Sequence, residues 1–137
     1  MSQLDLTPGA EIPSFFRKAD LDAWNRYAAV NDEFVPIHMD DEAGREAGFP
    51  TAVGMGNLAY SYLHNLLRGW IGETGRIGKI SVQYRQPVLR KTTVTARGKI
   101  IGVERQGDRS QVELQIWIED DGGRTLLDGQ ASVLVAA

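Results

Sequence analysis

The order of two side-chain patterns limits what this chain can fold into. Apolar residues recur at spacings of three and four between residues 54 and 70, which is typical of a helix with one buried face. Later runs alternate apolar and polar side chains or are rich in β-branched residues, which indicates strands; they cover residues 80–84, 92–101, 112–118 and 126–135. Because only that helix is long enough to cover the apolar face of these strands, we predict an α+β architecture in which a long central helix is wrapped by a curved antiparallel β-sheet.

Turn sequences connect the later strands. Gln106-Gly107-Asp108 and the run at 120–123 consist of residues that favour tight turns between adjacent strands. An antiparallel meander is therefore expected. No linker separates the strands from the first half of the chain, so residues 1–137 are expected to form a single domain.

The first half is predicted to be mainly helical. Residues 14–19 are compatible with a short strand, and Asp20 can cap a helix whose apolar stripe includes Trp24. Asp40 can cap a second, short helix, which would end near Gly48 because glycine permits a left-handed turn.

Composition excludes several kinds of function. Without cysteine the chain cannot form disulfides, a thiolate nucleophile or a thiolate zinc site, and its two histidines are too few for a histidine-rich metal site. A formal net charge of -3 with dispersed basic residues argues against a nucleic-acid partner. No segment reaches the ~18 consecutive apolar residues of a membrane span, and no secretory signal is recognisable. We therefore expect a soluble, cytoplasmic protein that acts on a small molecule.

The segment from Tyr27 to His38 is the strongest candidate for chemistry. It places Asp32 and Glu33 close in sequence to His38, and a histidine can exchange a proton near neutral pH. Pro36 stiffens the loop between them. This arrangement suggests general acid/base catalysis, although a structural pair of hydrogen-bonded side chains would give the same pattern.

The start of the long helix carries a second candidate site. Glycine at position 54 lets a ligand approach the backbone closely, and the exposed amides of a helix N-terminus carry partial positive charge that suits a developing oxyanion. Gly54 and the adjacent Met55 are therefore candidate substrate-binding residues. The alternative is that Gly54 and Gly56 only permit tight packing where the chain enters the helix.

Several short motifs together resemble the MaoC-like (R)-specific enoyl-CoA hydratases and dehydratases, a family with the hotdog fold. The resemblance extends over nearly the whole chain. It rests on Tyr27-Ala28, Phe34, Pro36-Ile37-His38, Asp40, Gly48-Phe49, Gly54-Met55 and Tyr84-Arg85-Gln86-Pro87.

Two motifs depart from the family pattern. The family loop typically reads Gly-Asp-x-Asn-Pro-(Ile/Leu)-His, so His38 is retained, whereas Glu33 stands in place of the aspartate and Val35 in place of the asparagine. Asp32, in place of the glycine, would supply the acid if the loop is shifted by one residue. Val53 replaces the histidine of a motif that reads Ile-x-His-Gly-Met in the family.

The resemblance implies an enoyl-CoA hydratase/dehydratase, which adds water reversibly to a trans-2-enoyl-CoA to give a (R)-3-hydroxyacyl-CoA. It implies that His38 with Glu33 or Asp32 handles the water, while the Gly54 amide binds the thioester carbonyl. No cofactor is expected, since CoA is part of the acyl-CoA substrate. A homodimer with one extended sheet is expected, and a heteromer with another hotdog chain is the alternative.

Two other functions remain open at this stage. The residues Glu33, Val35 and Val53 differ from the family pattern, as they would in a degenerate subunit that supports a catalytic partner. An acyl-CoA thioesterase on the same fold would need a carboxylate on the central helix, where the sequence offers Asn57 and no acid before Glu73.

A small basic group follows the predicted strand at 80–84. Arg85, Arg90 and Lys91 are residue types that bind phosphates well, so they are candidates for the CoA phosphates. A solvated strand end would have the same composition.

Overall fold

The computed structural model describes residues 4–136. Its elements are, in chain order, β1 (Phe15–Ala19), α1 (Leu21–Asn31), a 3-10 turn (Pro36–His38), α2 (Asp41–Glu46), α3 (Gly56–Ile71), β2 (Arg76–Tyr84), β3 (Thr92–Gln106), β4 (Arg109–Asp120) and β5 (Thr125–Ala136). Within the described range, no helix combines the length and the apolar character needed to cross a membrane.

All five strands form one antiparallel sheet with the order β1-β3-β4-β5-β2. The predicted meander is confirmed for β3, β4 and β5 but is wrong for β2, which pairs with β5 at the edge of the sheet. The physical reason lies in residues 85–91, which carry the chain from the end of β2 to the start of β3 on the other side of the sheet, next to β1. At the far end of this crossover, the Lys91 amide donates to the Ala19 carbonyl at 2.8 Å.

The core lies between α3 and the sheet. One face of α3 is buried, at Ala59, Leu63, Leu66, Leu67 and Ile71. The alternate positions of β4 that face it are also buried, at Val112, Leu114, Ile116 and Ile118. This confirms the predicted packing of the long helix against the apolar face of the sheet, which is the main source of stability in such a fold.

The helix α3 begins two residues later than the sequence pattern predicts. Before Gly56 the chain is still extended, because Val53 forms a β-bridge with Leu89 and the Gly54 amide donates to the Val88 carbonyl at 2.8 Å. Residues 53 and 54 are therefore tied to the crossover segment and not to the helix. This placement sets the position of the first free amides of α3.

The two predicted helix caps are confirmed. The Asp20 carboxylate accepts the Leu21 amide at 2.7 Å at the start of α1. The Asp40 carboxylate accepts the Glu42 and Ala43 amides, both at 3.3 Å, at the start of α2. The loop between these helices contains the predicted acid/base residues, and the Asp40 cap fixes the end of the loop that enters α2.

Gly44 allows α2 to lie directly on the backbone of residues 51–52. A Cβ atom at position 44 would lie 2.0 Å from the Thr51 carbonyl oxygen and 2.8 Å from the Ala52 nitrogen. These contacts are with backbone atoms, so no side-chain rotation relieves them. Glycine is thus required here even though the residue is helical.

We predict that Gly44→Ala lowers the free energy of unfolding by about 2 kcal/mol, within the range of overpacking penalties. Gly69→Ala is the matched control, because a Cβ at this other helical glycine meets no atom within 4 Å outside its own helix. Alanine's better helix propensity should make that variant more stable by about 0.5–1 kcal/mol. Urea unfolding of both variants tests the pair, and equal stability of Gly44→Ala and the wild type would contradict the packing described.

Candidate functional site

The loop that carries the predicted acid/base residues begins with a left-handed residue. Asp32 ends α1 with a φ of 53° and donates its amide to the Ala28 carbonyl. The Glu33 amide donates to the same carbonyl at 3.0 Å. Asp32 is a residue type that tolerates this conformation, so its exposed carboxylate has a structural explanation that does not require catalysis.

His38 closes the 3-10 turn, and its imidazole is held by the backbone. Its Nδ1 atom lies 2.7 Å from the carbonyl oxygen of Val53. A carbonyl can only accept a hydrogen bond, so Nδ1 must carry the proton. In the neutral ring, Nε2 is then the unprotonated nitrogen and can accept a proton.

Val53 contributes its backbone to this site. Its carbonyl accepts from His38, its amide donates to the Ile37 carbonyl at 2.9 Å, and its side chain is buried. Two backbone links therefore join position 53 to the turn that carries the imidazole. These links would be available to any residue at position 53, including the histidine of the family pattern.

The predicted partner carboxylates do not touch the imidazole directly. Within residues 4–136, no carboxylate oxygen lies within 4.0 Å of a His38 ring nitrogen. The Glu33 side chain is partly buried and that of Asp32 is exposed. Joint action of Glu33 and His38 would therefore have to pass through a bound molecule such as water.

The amide of Gly54 already donates a hydrogen bond within the protein, whereas the sequence led us to expect a free amide that binds the substrate carbonyl. It donates to the Val88 carbonyl, and Met55 beside it is 2% exposed. The first amides of α3, at residues 56–58, have no acceptor within the helix, and no side chain of the described residues caps this end. These amides are the available donors for an oxyanion.

A pocket of about 290 Å³ opens at this end of α3. Its walls include Phe49, Gly54, Gly56, Ala59, Tyr84 and Leu127. The predicted residues Asp32, Glu33 and His38 do not line it. Gly54 connects the two halves of the site, because it lines the pocket and directly follows the residue that holds the imidazole.

Tyr84 is a pocket residue that sequence reasoning did not select. Its hydroxyl donates to the Gly56 carbonyl at 3.2 Å, and burial raises the pKa of this phenol. A Cβ at Gly56 would lie 3.0 Å from the Tyr84 ring, so this glycine permits the close packing of Tyr84 on the start of α3. The available sequence signal was the position of Tyr84 at the end of a strand, as the first residue of the Tyr84-Arg85-Gln86-Pro87 motif.

The two arginines of the basic group have partners within the chain. Arg85 pairs with Asp128 at 3.0 Å, and Arg90 pairs with both Asp20 and Asp41 at 2.7 Å. The hydrogen bond from Arg90 lowers the pKa of Asp20, and the Ala52 amide is the main cause that lowers the pKa of Asp41. Both carboxylates are therefore charged at neutral pH, and Arg90 is structural in this arrangement.

Comparisons with known proteins agree with this architecture. The sequence profile of the family described as "MaoC like domain" matches residues 7–119. A comparison with curated protein sequences finds no match.

Solved structures resemble the whole fold. An (R)-hydratase from A. caviae involved in PHA biosynthesis has a TM-score of 0.83 and 22% identity over 95% of this chain and 97% of that chain. The R-hydratase PhaJ1 from Pseudomonas aeruginosa has a TM-score of 0.82 and 15% identity over 96% of this chain and 83% of that chain. A chain of the ChsH1-ChsH2 complex from Mycobacterium tuberculosis has a TM-score of 0.80 and 16% identity, over 96% and 98% respectively. These similarities confirm the predicted hotdog fold.

Proposed function

We propose that this chain, which belongs to the MaoC-like dehydratase family, is an enoyl-CoA hydratase/dehydratase that adds water reversibly to a trans-2-enoyl-CoA and forms a (R)-3-hydroxyacyl-CoA. The observation that carries the proposal is the hydrogen bond from His38 Nδ1 to the Val53 carbonyl. It leaves Nε2 of the neutral imidazole free to accept a proton, and it ties the ring to Val53, which precedes the first residue of α3 by three positions. A base and an oxyanion site are the two parts that hydration of an enoyl thioester requires.

His38 acts as the general base in this proposal. Its Nε2 takes a proton from water while the water oxygen forms a bond to C3 of the enoyl group. The electrons of the C2=C3 double bond move towards the thioester carbonyl and give an enolate. The hydrogen bond at Nδ1 persists while the ring gains its proton, so the Val53 carbonyl also stabilises the imidazolium.

The amides at the start of α3 stabilise the enolate oxygen. They are unpaired within the helix and carry the partial positive charge of the helix N-terminus. The Gly54 amide would join them only after leaving the Val88 carbonyl. The His38 imidazolium then gives its Nε2 proton to C2, which restores the neutral imidazole and completes the addition of one proton and one hydroxyl group from a single water molecule. Gly54 stays a candidate binding residue because it lines the pocket, and Met55 stays one as the residue at which α3 is capped.

Glu33 holds the reacting water from the opposite side. Because no carboxylate lies within 4.0 Å of the imidazole among the described residues, this role requires that a water molecule bridge the Glu33 carboxylate and the imidazole. Glutamate is longer than the aspartate of the family pattern by one methylene. A displacement of roughly 1 Å at a reacting group can change a rate about a hundredfold, so the loop geometry must suit the longer side chain.

The reaction proposed needs no cofactor, because the thioester carbonyl accepts the electrons. A thioesterase reaction has less support on this site, since α3 contains no carboxylate to attack or to activate water at the carbonyl. The pocket beside the α3 amides would hold the acyl thioester near its carbonyl.

A homodimer is the proposed assembly. Among residues 4–136, the strand β2 lies at the edge of the sheet and pairs with β5 alone, so its outer backbone groups face away from the other described strands, towards a second chain. Antiparallel pairing of two such edges would extend one sheet through both copies and protect the edge. A heteromer is the alternative, and one similar solved structure is described as a ChsH1-ChsH2 complex.

We predict that His38→Ala lowers the rate of hydration of a trans-2-enoyl-CoA by about a hundredfold or more, because it removes the general base. His64→Ala is the matched control: this second histidine is exposed on α3 and contacts the Tyr60 ring edge-on. Turnover is followed by loss of the enoyl absorbance, on samples whose oligomeric state is known from light scattering. Equal rates for His38→Ala and the wild type would refute the mechanism, and an inactive wild-type homodimer would favour the supporting-subunit alternative.

We further predict that Glu33→Gln removes most of the activity with little effect on folding, whereas Asp32→Asn has a milder effect. The reason is that the partly buried Glu33 takes the acid position in the loop, while Asp32 is an exposed helix cap. Steady-state rates together with urea unfolding separate the two effects. The reverse ranking would mean that Asp32 is the working carboxylate.

A further inference from the structure

Each backbone amide and carbonyl from the Ala52 amide to the Gly54 amide forms a hydrogen bond within the protein. The Ala52 amide donates to Asp41 at 3.0 Å, and the Ala52 carbonyl accepts from the Thr51 hydroxyl at 2.7 Å. The Val53 amide and carbonyl bind Ile37 and His38, as described above, and the Gly54 amide binds Val88. Only one of these partners is a charged side chain, and that is Asp41.

The carboxylate of Asp41 uses both of its oxygens. Its Oδ1 accepts the Ala52 amide, and its Oδ2 accepts from Arg90 Nη1 at 2.7 Å. Hydrogen bonds of a charged group are about twice as strong as neutral ones. Ala52 is fully buried, so loss of its amide's partner would leave an unsatisfied donor inside the protein.

Arg90 holds this carboxylate in one orientation. Its Nε donates to Asp20 while its Nη1 donates to Asp41, and its side chain is only 22% exposed. The guanidinium is planar, so a bond at each of two nitrogens fixes its plane. Asp20 caps α1 and is fixed in turn by the Leu21 amide.

We propose that Asp41, oriented by Arg90, is a positioning residue for His38: it fixes the Ala52–Val53 backbone and so holds the carbonyl that keeps the imidazole protonated on Nδ1. The functional meaning of this role rests on the hydration mechanism proposed above. The structural claim stands on the contacts alone. The path runs from Arg90 through Asp41 to the Ala52 amide, and from the adjacent Val53 carbonyl to His38.

Asp20 provides a comparison within the same ion-pair group. It binds Arg90 at the same 2.7 Å distance as Asp41, and both carboxylates are 32% exposed. Asp20 makes no hydrogen bond to residues 52–54 in the described structure; its backbone partner is Leu21. A purely structural ion pair would make the two aspartates equivalent for His38, whereas in the proposed role only Asp41 contacts the Ala52 backbone directly.

The experiment measures the tautomer of His38 by ¹⁵N NMR without substrate, at about pH 8.5, roughly two units above the ordinary histidine pKa of ~6.5. The wild type should show His38 as a single Nδ1–H form, with exposed His64 as the internal reference for a free ring. In Asp41→Ala we expect a mixture with the Nε2–H form, which predominates in unconstrained histidine. Asp20→Ala, the matched control, leaves the direct bond from the Ala52 amide to Asp41 in place and should change the tautomer much less than Asp41→Ala does.

A second readout covers the case in which Asp41→Ala does not fold. Asp41→Asn keeps an oxygen for the Ala52 amide but directs an amide NH₂ group at Arg90, so donors face each other. We expect exchange of the Ala52 amide hydrogen to accelerate about tenfold in this variant, which corresponds to loss of about 1.4 kcal/mol. We also expect kcat to fall while KM changes little.

Two results would overturn the proposal. One is a folded Asp41 variant in which His38 remains entirely Nδ1–H and the Ala52 amide exchanges at the wild-type rate. The other is an equal change of tautomer in the Asp20 and Asp41 variants. The tautomer is measured without substrate, so it tests the positioning role independently of catalysis. An inactive wild-type protein would count against the hydratase function, whereas the tautomer of His38 would still decide the positioning role.

Discussion

The buried backbone of residues 52–54 is the constraint on which the site depends. A buried amide or carbonyl without a partner costs roughly 1–3 kcal/mol, so each group on this segment must be satisfied inside the protein. The partners come from the 3-10 turn, from α2 and from the crossover after β2. The hydrogen-bonding needs of this short segment therefore bring the 3-10 turn and α2 together with the crossover, which follows α3 and β2 in the chain.

The long helix and the sheet provide the rigid support for this segment. The buried face of α3 packs on the apolar face of the sheet, so the first turn of α3 has a fixed position. Gly44 lets α2 rest directly on the backbone at 51–52. The amides at the start of α3 and the imidazole of His38 are consequently held by different elements that meet at residues 53 and 54.

Periodic patterns in the sequence predict most of the fold. The apolar spacing between residues 54 and 70 and the alternation in the later strands reflect burial, which is a local property of each element. The aspartate caps at positions 20 and 40 were also predictable, since capping acts within one turn of helix. The edge position of β2 was not, because it depends on where residues 85–91 carry the chain.

The candidate site was predictable only in part. Residue type and a short spacing select His38 and Glu33 as candidates, and a glycine before a helix selects Gly54. The bond from His38 to the Val53 carbonyl joins residues 15 positions apart, and that between Arg90 and Asp41 joins residues 49 apart. No local pattern encodes such pairs. The engaged amide of Gly54 likewise follows from the crossover segment and not from its own neighbours.

The most direct test of the central claim is the fate of the water oxygen. The purified protein is incubated with a trans-2-enoyl-CoA in H₂¹⁸O, and the products are analysed by mass spectrometry and by chiral separation of the 3-hydroxyacyl group. The account predicts one ¹⁸O atom in the hydroxyl at C3, the R configuration, and an intact thioester. Label in a free carboxylate together with released CoA would contradict it and identify a thioesterase.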